Sequence, residues 1–249
     1  MSQEMSLTRL NPHRPDEPFP PVELACNFPN GLIAVGGDLS PVRLLTAYQS
    51  GIFPWFNKDE PIYWWSPNPR GVLFPERINL TRSLRKVIRN KGYKITIDQA
   101  FDAVIFGCSL PRRYSHDTWI TSAMQKAYGR LHQMNLAHSF EVWNPQGELV
   151  GGLYGVVTGG VFNGESMFSI EPNTSKIALT ALCYSAQQWG FRLIDCQMPN
   201  PYLLEMGAET IPRADYIHYL QTCRHTPPNA TWKVEFDNEL LSNWQPEMR

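Results

Sequence analysis

Three neighbouring segments constrain the fold of this chain most. HSFEVW, LVGGLYGVV and VFNGESMFS are apolar runs of strand length, joined by NPQGE and TGG. Both joints carry turn chemistry, NPQGE through Asn, Pro and Gly and TGG through its two glycines. The simplest reading is a meander of three antiparallel strands. Helical patterns flank it on both sides, so the order predicts a mixed α/β (α+β) domain with one layered sheet.

Before the meander, TRSLRKVIRNKGYK places Leu80, Leu84, Val87 and Ile88 at helical spacing, with Arg82, Arg85, Lys86 and Arg89 opposite. ITIDQAFDAVIFGCS reads as a strand, an Asp98 cap and a helix. TWITSAMQKAYGRLHQMN reads as a helix capped by Thr121. After the meander, a long helix is predicted from Asn173 to Trp189, ended by Gly190. FRLIDCQM follows as a strand, then two helices over YLLEMG and Pro212 to Arg224, and TPPNATWKVEF as an edge strand.

The N-terminal part is different. Pro12, Pro15, Pro18, Pro20 and Pro21 suggest an extended arm. Leu32 to Val35 is a short strand ending in Gly36-Gly37. Ser40 and Pro41 start a helix that Gly51 closes. IFPWFNKDEPIYWWSPNPR then crowds aromatics and prolines together. We place a boundary there: a small N-terminal domain over 1–66 and a larger domain over 67–249.

Composition narrows the function. Net charge is −1, so attraction to a nucleic acid needs a local patch. Such a patch exists: Arg77 to Lys94 holds seven Lys or Arg and no acid, which favours a phosphate-backbone partner. Trp55, Trp64, Trp65 and Trp119 are candidates for stacking on exposed bases. The five cysteines form no CxxC pair, which fits a reducing cytosol without disulfides or structural zinc. His132 and His138 match no metal-ligand spacing, and no dinucleotide or Walker loop occurs. The N-terminus lacks an apolar signal core, and no run reaches the ~18 apolar residues of a membrane span. The expectation is a cytoplasmic, monomeric protein with no cofactor, no metal and no membrane partner.

Glu165, inside the apolar VFNGESMFS, must be paired, protonated or solvated by a cleft. Alternation in FRLIDCQM puts Asp195 and Gln197 on one strand face. That face is either a solvated or Arg-paired strand face, or one wall of a polar site in a split sheet. In the second case Asn163, Glu165, Asp195 and Gln197 line one cleft, with Asn200 just beyond. Two acids with three amides suit a cationic amine better than a metal. Cys196 is expected to face away, and Ser166 lacks the setting of a nucleophile elbow.

PNGLIAVGGDLSPVRLLTAYQSGIFPWF, WWSPNPRGVLFP, TWIT, AHSFEVW, LVGGLYGV, FNGESMFS, SKIAL, LIDCQ and GAETIPR occur here in order. From about Pro29 to Tyr216 the chain thereby resembles the bacterial leucyl/phenylalanyl-tRNA–protein transferases. That resemblance implies a small N-terminal domain followed by a GNAT-like (acyl-CoA N-acyltransferase-like) mixed-sheet domain. It implies transfer of leucine or phenylalanine, and methionine less well, from leucyl-tRNA or phenylalanyl-tRNA to proteins with an N-terminal Arg or Lys. The product is marked for degradation through the N-degron pathway. Residue by residue, it implies that Glu165 lies near the aminoacyl group and that Asp195 and Gln197 are catalytic, with Asn200 close by. Trp55 and Trp119 are then near the 3′ adenosine, and Leu153, Phe162, Met167 and Leu182 surround the Leu or Phe side chain. Arg82, Arg85, Lys86 and Arg89 are the expected tRNA contacts. Simple alternation puts Phe162 and Met167 on opposite faces, so a bulge near Gly164 is needed for both to reach the pocket.

Ile170, Tyr202, Glu205 and Leu153 stand where Arg, His, Ser and Met are commoner in such proteins. No pyrophosphate loop of an acetyl-CoA enzyme is present, which argues against a CoA-dependent acetyltransferase. A non-enzymatic RNA-binding module leaves Glu165, Asp195 and Gln197 without a role. The expected reaction is ester aminolysis, in which Asp195 accepts or orients the amine proton while Gln197 positions the amine or carbonyl. Glu165 faces either the aminoacyl amine or the incoming one.

Overall fold

The computed structural model describes residues 7–111, 118–225, 228–232 and 234–246. The chain forms β1 (Thr8–Leu10), β2 (Leu32–Gly36), α1 (Pro41–Gln49), β3 (Phe53–Pro54) and β4 (Tyr63–Trp65) before the larger sheet begins. It then runs through β5 (Arg70–Leu73), α2 (Arg82–Asn90), β6 (Lys94–Ile97), α3 (Phe101–Ser109) and α4 (Ser122–Gln133). The meander follows as β7 (Ala137–Trp143), β8 (Leu149–Thr158) and β9 (Val161–Ser169). Last come α5 (Thr174–Trp189), β10 (Leu193–Gln197), α6 (Pro201–Glu205), β11 (Glu209–Ile211), α7 (Arg213–Cys223) and α8 (Asn238–Asn243).

Local chemistry sets the helix starts. Ser40, Thr81 and Thr121 each accept a hydrogen bond from a first-turn backbone N–H, and Gly190, at φ +83°, closes α5. Asp98 is not the cap of α3, which starts after Ala100 without a side-chain cap. Its carboxylate instead accepts from Ser139 N at 2.8 Å and meets His138 Nδ1 at 2.6 Å, tying the end of β6 to β7. The proline-rich arm is anchored rather than free. Thr8–Leu10 pairs in parallel with β2, and the buried Arg43 guanidinium donates to the carbonyls of Asn11, Arg14 and Glu17.

Two sheets result, ordered β1-β2-β4-β3 and β11-β5-β10-β9-β8-β7-β6. The meander expected from the sequence is the centre of the larger one. Its next neighbour, β10, runs parallel to β9, whereas β5 is antiparallel to β10. The edge strand expected over TPPNATWKVEF is only a bridge, Thr96 opposite Glu235, among the described residues. No described helix is long and apolar enough to cross a membrane.

One core cluster lies between α5, α2 and one face of the large sheet. A second is shared: Ile33, Leu44, Tyr48 and Trp64 from the first part of the chain pack with Val104, Ile105, Tyr128 and Tyr154 from α3, α4 and β8. The small N-terminal sheet is therefore fixed to the larger unit through apolar side chains, and α1 is brought over β8 and β9. Burial of this kind is worth ~25 cal/mol per Å² of apolar surface, so the shared cluster holds the two parts in register.

Candidate active site

β9 and β10 pair only from Val161–Asn163 against Leu193–Asp195. Beyond that point β9 follows β8, while β10 shifts register and pairs through Gln197 with Gly71 of β5. The parallel pair thus splays open, as the split-sheet reading anticipated. A cavity of about 340 Å³ occupies the divergence.

A bulge shapes its wall. Ser166 opposes Tyr154 and Gly164 opposes Gly155, so Glu165 is the extra residue on β9. Gly155 permits this: a Cβ there would run into Asn163 O and the Phe162 ring. The bulge resets alternation, and Phe162 and Met167 both face the α5 core cluster. Only Met167 reaches the cavity, however. Phe162 lies one layer deeper, packed edge-on against Phe140 and Phe191, and does not line it. Its expected contact with substrate is replaced by support from behind.

The cavity floor is apolar: Leu153, Met167, Leu179, Leu182, Ile194 and Leu203. Trp55 and Trp119 stand on its lining beside the polar residues Glu165, Asp195, Gln197 and Asn200. Of the residues expected around the cleft, all but Phe162 and Asn163 line this cavity. Asn163 stays beneath, buried, donating to Val156 O and Thr158 Oγ1. Asn200 caps α6 by accepting from Leu203 N at 2.9 Å. Trp64 is core, donating to Gly36 O.

Tyrosines missed by sequence reasoning enclose Glu165. Tyr48 donates to its Oε1 at 2.7 Å and Tyr128 to its Oε2 at 2.8 Å, while the two phenols lie 2.5 Å apart. Tyr154 lines the same cavity, and its hydroxyl is buried without a hydrogen-bond partner among the described residues. Burial pushes the Glu165 carboxyl up to about 7, and the two phenol hydrogen bonds limit the rise. The tyrosine pKa values are driven well upward by the same burial and by the carboxylate beside them, so the phenols remain donors.

Asp195 has a different environment. Arg70 donates to it twice, Nε to Oδ1 at 2.8 Å and Nη2 to Oδ2 at 2.6 Å. Tyr216 donates to Oδ2 at 3.1 Å and Gln197 N to Oδ1 at 2.9 Å. These bonds occupy the carboxylate and leave no room for an attacking amine. Burial opposes the Arg70 charge, but Asp195 and Tyr216 together more than offset it, so the guanidinium stays protonated. Arg70 also donates to Gly51 O and lies over the rings of Phe53 and Tyr216. What Asp195 orients is Gln197, whose backbone is left-handed at φ +56° and whose buried Nε2 has no partner among the described residues. A shielded, unpaired amide donor in a cavity is costly and marks a place for an acceptor.

Of the four departures from the commoner residues, Leu153 lines the cavity, whereas Tyr202, Glu205 and Ile170 do not. Tyr202 OH is 2.8 Å from Ser175 Oγ, and Glu205 pairs with Lys176 at 3.1 Å. Ile170 is exposed. The basic helix is divided. Arg82 and Lys86 are exposed on α2, whereas Arg85 donates to Ser242 O and Trp244 O and Arg89 to Asn243 Oδ1. Those two guanidiniums hold the C-terminal segment through its carbonyl and amide acceptors.

His132 and His138, distant from any metal spacing in the sequence, converge on Asp98. His132 Nδ1 is engaged by Ala137 O at 2.8 Å, and the rings stack flat on Phe101 and Trp232. This trio fastens α4 and the C-terminal segment to the sheet.

Comparison with known proteins identifies the family. The family model described as leucyl/phenylalanyl-tRNA protein transferase matches residues 72–221, and its N-terminal domain model matches residues 37–68. The chain is 52% identical over 221 residues to the leucyl/phenylalanyl-tRNA–protein transferase of Stutzerimonas stutzeri strain A1501, spanning 89% of this chain and 97% of that one. It is 57% identical over 198 residues to the enzyme of the same name from Thiobacillus denitrificans, spanning 80% and 86%. Among solved structures the likeness is weak: L-PGS from Bacillus licheniformis matches with a TM-score of 0.39 at 10% identity, over 69% of this chain and 53% of that one. On its sequence, the chain belongs to the leucyl/phenylalanyl-tRNA–protein transferase family.

Proposed function

We propose that this protein transfers leucine or phenylalanine, and methionine less well, from charged tRNA to the α-amine of proteins beginning with Arg or Lys. The product would be a substrate for N-degron proteolysis in the cytoplasm. One observation carries the reading: a single cavity joins an apolar floor to a carboxylate near neutrality and an unpaired amide donor, with two indoles on its lining. The floor suits a Leu, Met or Phe side chain. One methylene separates such substrates by only ~1–3 kcal/mol, so tolerance among them is expected. Trp55 and Trp119 suit stacking on the terminal adenosine.

The chemistry is aminolysis of an activated ester. The acceptor ammonium gives a proton to Glu165, the neutral amine attacks the ester carbonyl carbon, the C–N bond forms, and the ester C–O bond breaks. The adenosine 3′ oxygen leaves with the proton that the attacking nitrogen sheds, and Glu165 returns its own proton to solvent. A carboxylate titrating about 7 is matched to that exchange at neutral pH. Gln197 Nε2 donates to the carbonyl oxygen as negative charge grows there. Asp195, saturated by Arg70 and Tyr216, orients the Gln197 backbone instead of accepting the proton. Alignment of amine and carbonyl contributes several kcal/mol, up to about 7–11 in ideal cases. The exposed Arg82 and Lys86 contact tRNA phosphates without reading sequence.

The test mixes purified protein with labelled leucyl-tRNA and an Arg-starting peptide. Label should enter that peptide, and not one starting with Asp. Transfer from acetyl-CoA in place of leucyl-tRNA, or none from the tRNA, would refute the reading.

A further inference from the structure

A second groove of about 350 Å³ lies in the N-terminal sheet, lined by Leu32, Trp55, Phe56, Glu60, Tyr63 and Trp65 among others. Trp55 lines this groove and the catalytic cavity alike, so one indole separates the two. The aromatic rings are mutually tilted. Trp55 and Trp65 meet at 62° with centroids 5.7 Å apart, and Tyr63 and Trp65 at 66° and 6.5 Å. Tilted rings present faces and edges in turn, the arrangement of a cage rather than a flat stacking platform.

The charge is equally specific. The Glu60 carboxylate is held on its loop by Asn57, whose N and Nδ2 donate to Oε2 at 2.8 and 3.1 Å. Oε1 has no hydrogen-bond or ion-pair partner among the described residues. Among the described residues no Lys or Arg lines the groove; Lys58, on the same loop, is not part of its wall. A phosphate-bearing strand would meet a carboxylate and no cation there. A guanidinium or ammonium would meet a carboxylate and aromatic faces, the combination that attracts a cation most strongly.

We propose that this groove is the specificity subsite for the cationic side chain of the acceptor's first residue, a proposal that rests on the aminoacyl-transfer reading. With the α-amine beside Glu165, a long Arg or Lys side chain passes Trp55 and places its charge against Glu60 and the Tyr63–Trp65 faces. Discrimination against acceptors with neutral or acidic first residues then follows from the groove's own charge.

The experiment measures phenylalanine transfer to peptides identical except for a first residue of Arg, Lys or norleucine, the last an uncharged counterpart of Lys. Wild type is compared with Glu60→Gln and Tyr63→Leu, each checked for an unchanged melting temperature. Both substitutions should raise KM for the Arg and Lys peptides about fivefold while leaving kcat, and KM for phenylalanyl-tRNA, unchanged. The norleucine peptide should not distinguish Glu60→Gln from wild type. Unchanged peptide KM values would overturn the proposal, and so would a raised KM for phenylalanyl-tRNA, which would assign the groove to nucleotides. Wild type failing to transfer to any of the peptides would remove the aminoacyl-transfer reading itself, and this subsite with it.

Discussion

Arg70 and Asp195 form a two-bond ion pair, at 2.8 and 2.6 Å, with both side chains sealed from solvent. The pair joins the first strand of the large sheet to β10, and Arg70 reaches on to Gly51 O. It therefore fixes the distance between the N-terminal region and Gln197. Removing one partner strands a buried charge. Arg70→Met should cost about 3–5 kcal/mol in urea unfolding, and Arg70→Met with Asp195→Leu together should cost less than Arg70→Met alone. If the two single losses simply add, the pair is not a unit.

Glu165 predicts a pH signature. Its carboxyl is raised from 4.5 to about 7 in the folded protein. A raised acid binds its proton more tightly when folded, so the stability it lends is complete below the unfolded value and disappears as pH climbs through the folded one. Wild type should lose stability relative to Glu165→Gln between about pH 5 and about pH 8, read as melting temperature. The transfer rate should move the other way, rising with pH through the same range in wild type. That ascending limb should be absent from whatever residual rate Glu165→Gln retains.

Pocket volume predicts selectivity. Leu153 is on the cavity floor, opposite Met167 in the β8–β9 register. Leu153→Phe occupies space that a phenyl ring needs more than an isobutyl group does. It should lower kcat/KM for phenylalanyl-tRNA relative to leucyl-tRNA by about tenfold. A proportionate loss on both substrates would place the side chain elsewhere.

On α2 the two kinds of arginine should separate. Arg82→Glu with Lys86→Glu should raise KM for the tRNA and reduce the slope of log affinity against log salt by about one per lost phosphate contact. Arg85→Ala should instead lower the melting temperature, because Ser242 O and Trp244 O lose their donor. A salt-slope change with Arg85→Ala at unchanged stability would reverse these roles.

Much of this was legible in the sequence because its signals are local. The caps at Ser40 and Thr121, the turns of the meander and the Gly190 stop are decided within a few residues. The pairing of Glu165 with Asp195 and Gln197 in one cleft was legible from alternation and resemblance together. What was not legible depends on contacts far apart in the chain. Arg70 lies 125 residues from Asp195, and Tyr48 lies 117 from Glu165. Nothing in WWSPNPRGV announces that its arginine will be buried. The bulge expected near Gly164 is present at Glu165 and brings Phe162 and Met167 to one side, but that Phe162 stops behind Met167 depends on its packing against the distant Phe140 and Phe191. Arg85 and Arg89 read as free cations because their acceptors lie more than 150 positions away, in the C-terminal segment.

The central claim is that the cavity between β9 and β10 holds the aminoacyl end of the tRNA. It is tested most directly by a crystal structure with phenylalanyl-adenosine in which an amide replaces the reactive ester. The phenyl ring should lie against Leu153, Met167 and Leu182, the adenine against Trp55 or Trp119, and the carbonyl oxygen within hydrogen-bond reach of Gln197 Nε2. A ligand bound with its phenyl ring outside this cavity, or a carbonyl facing away from Gln197, would contradict it.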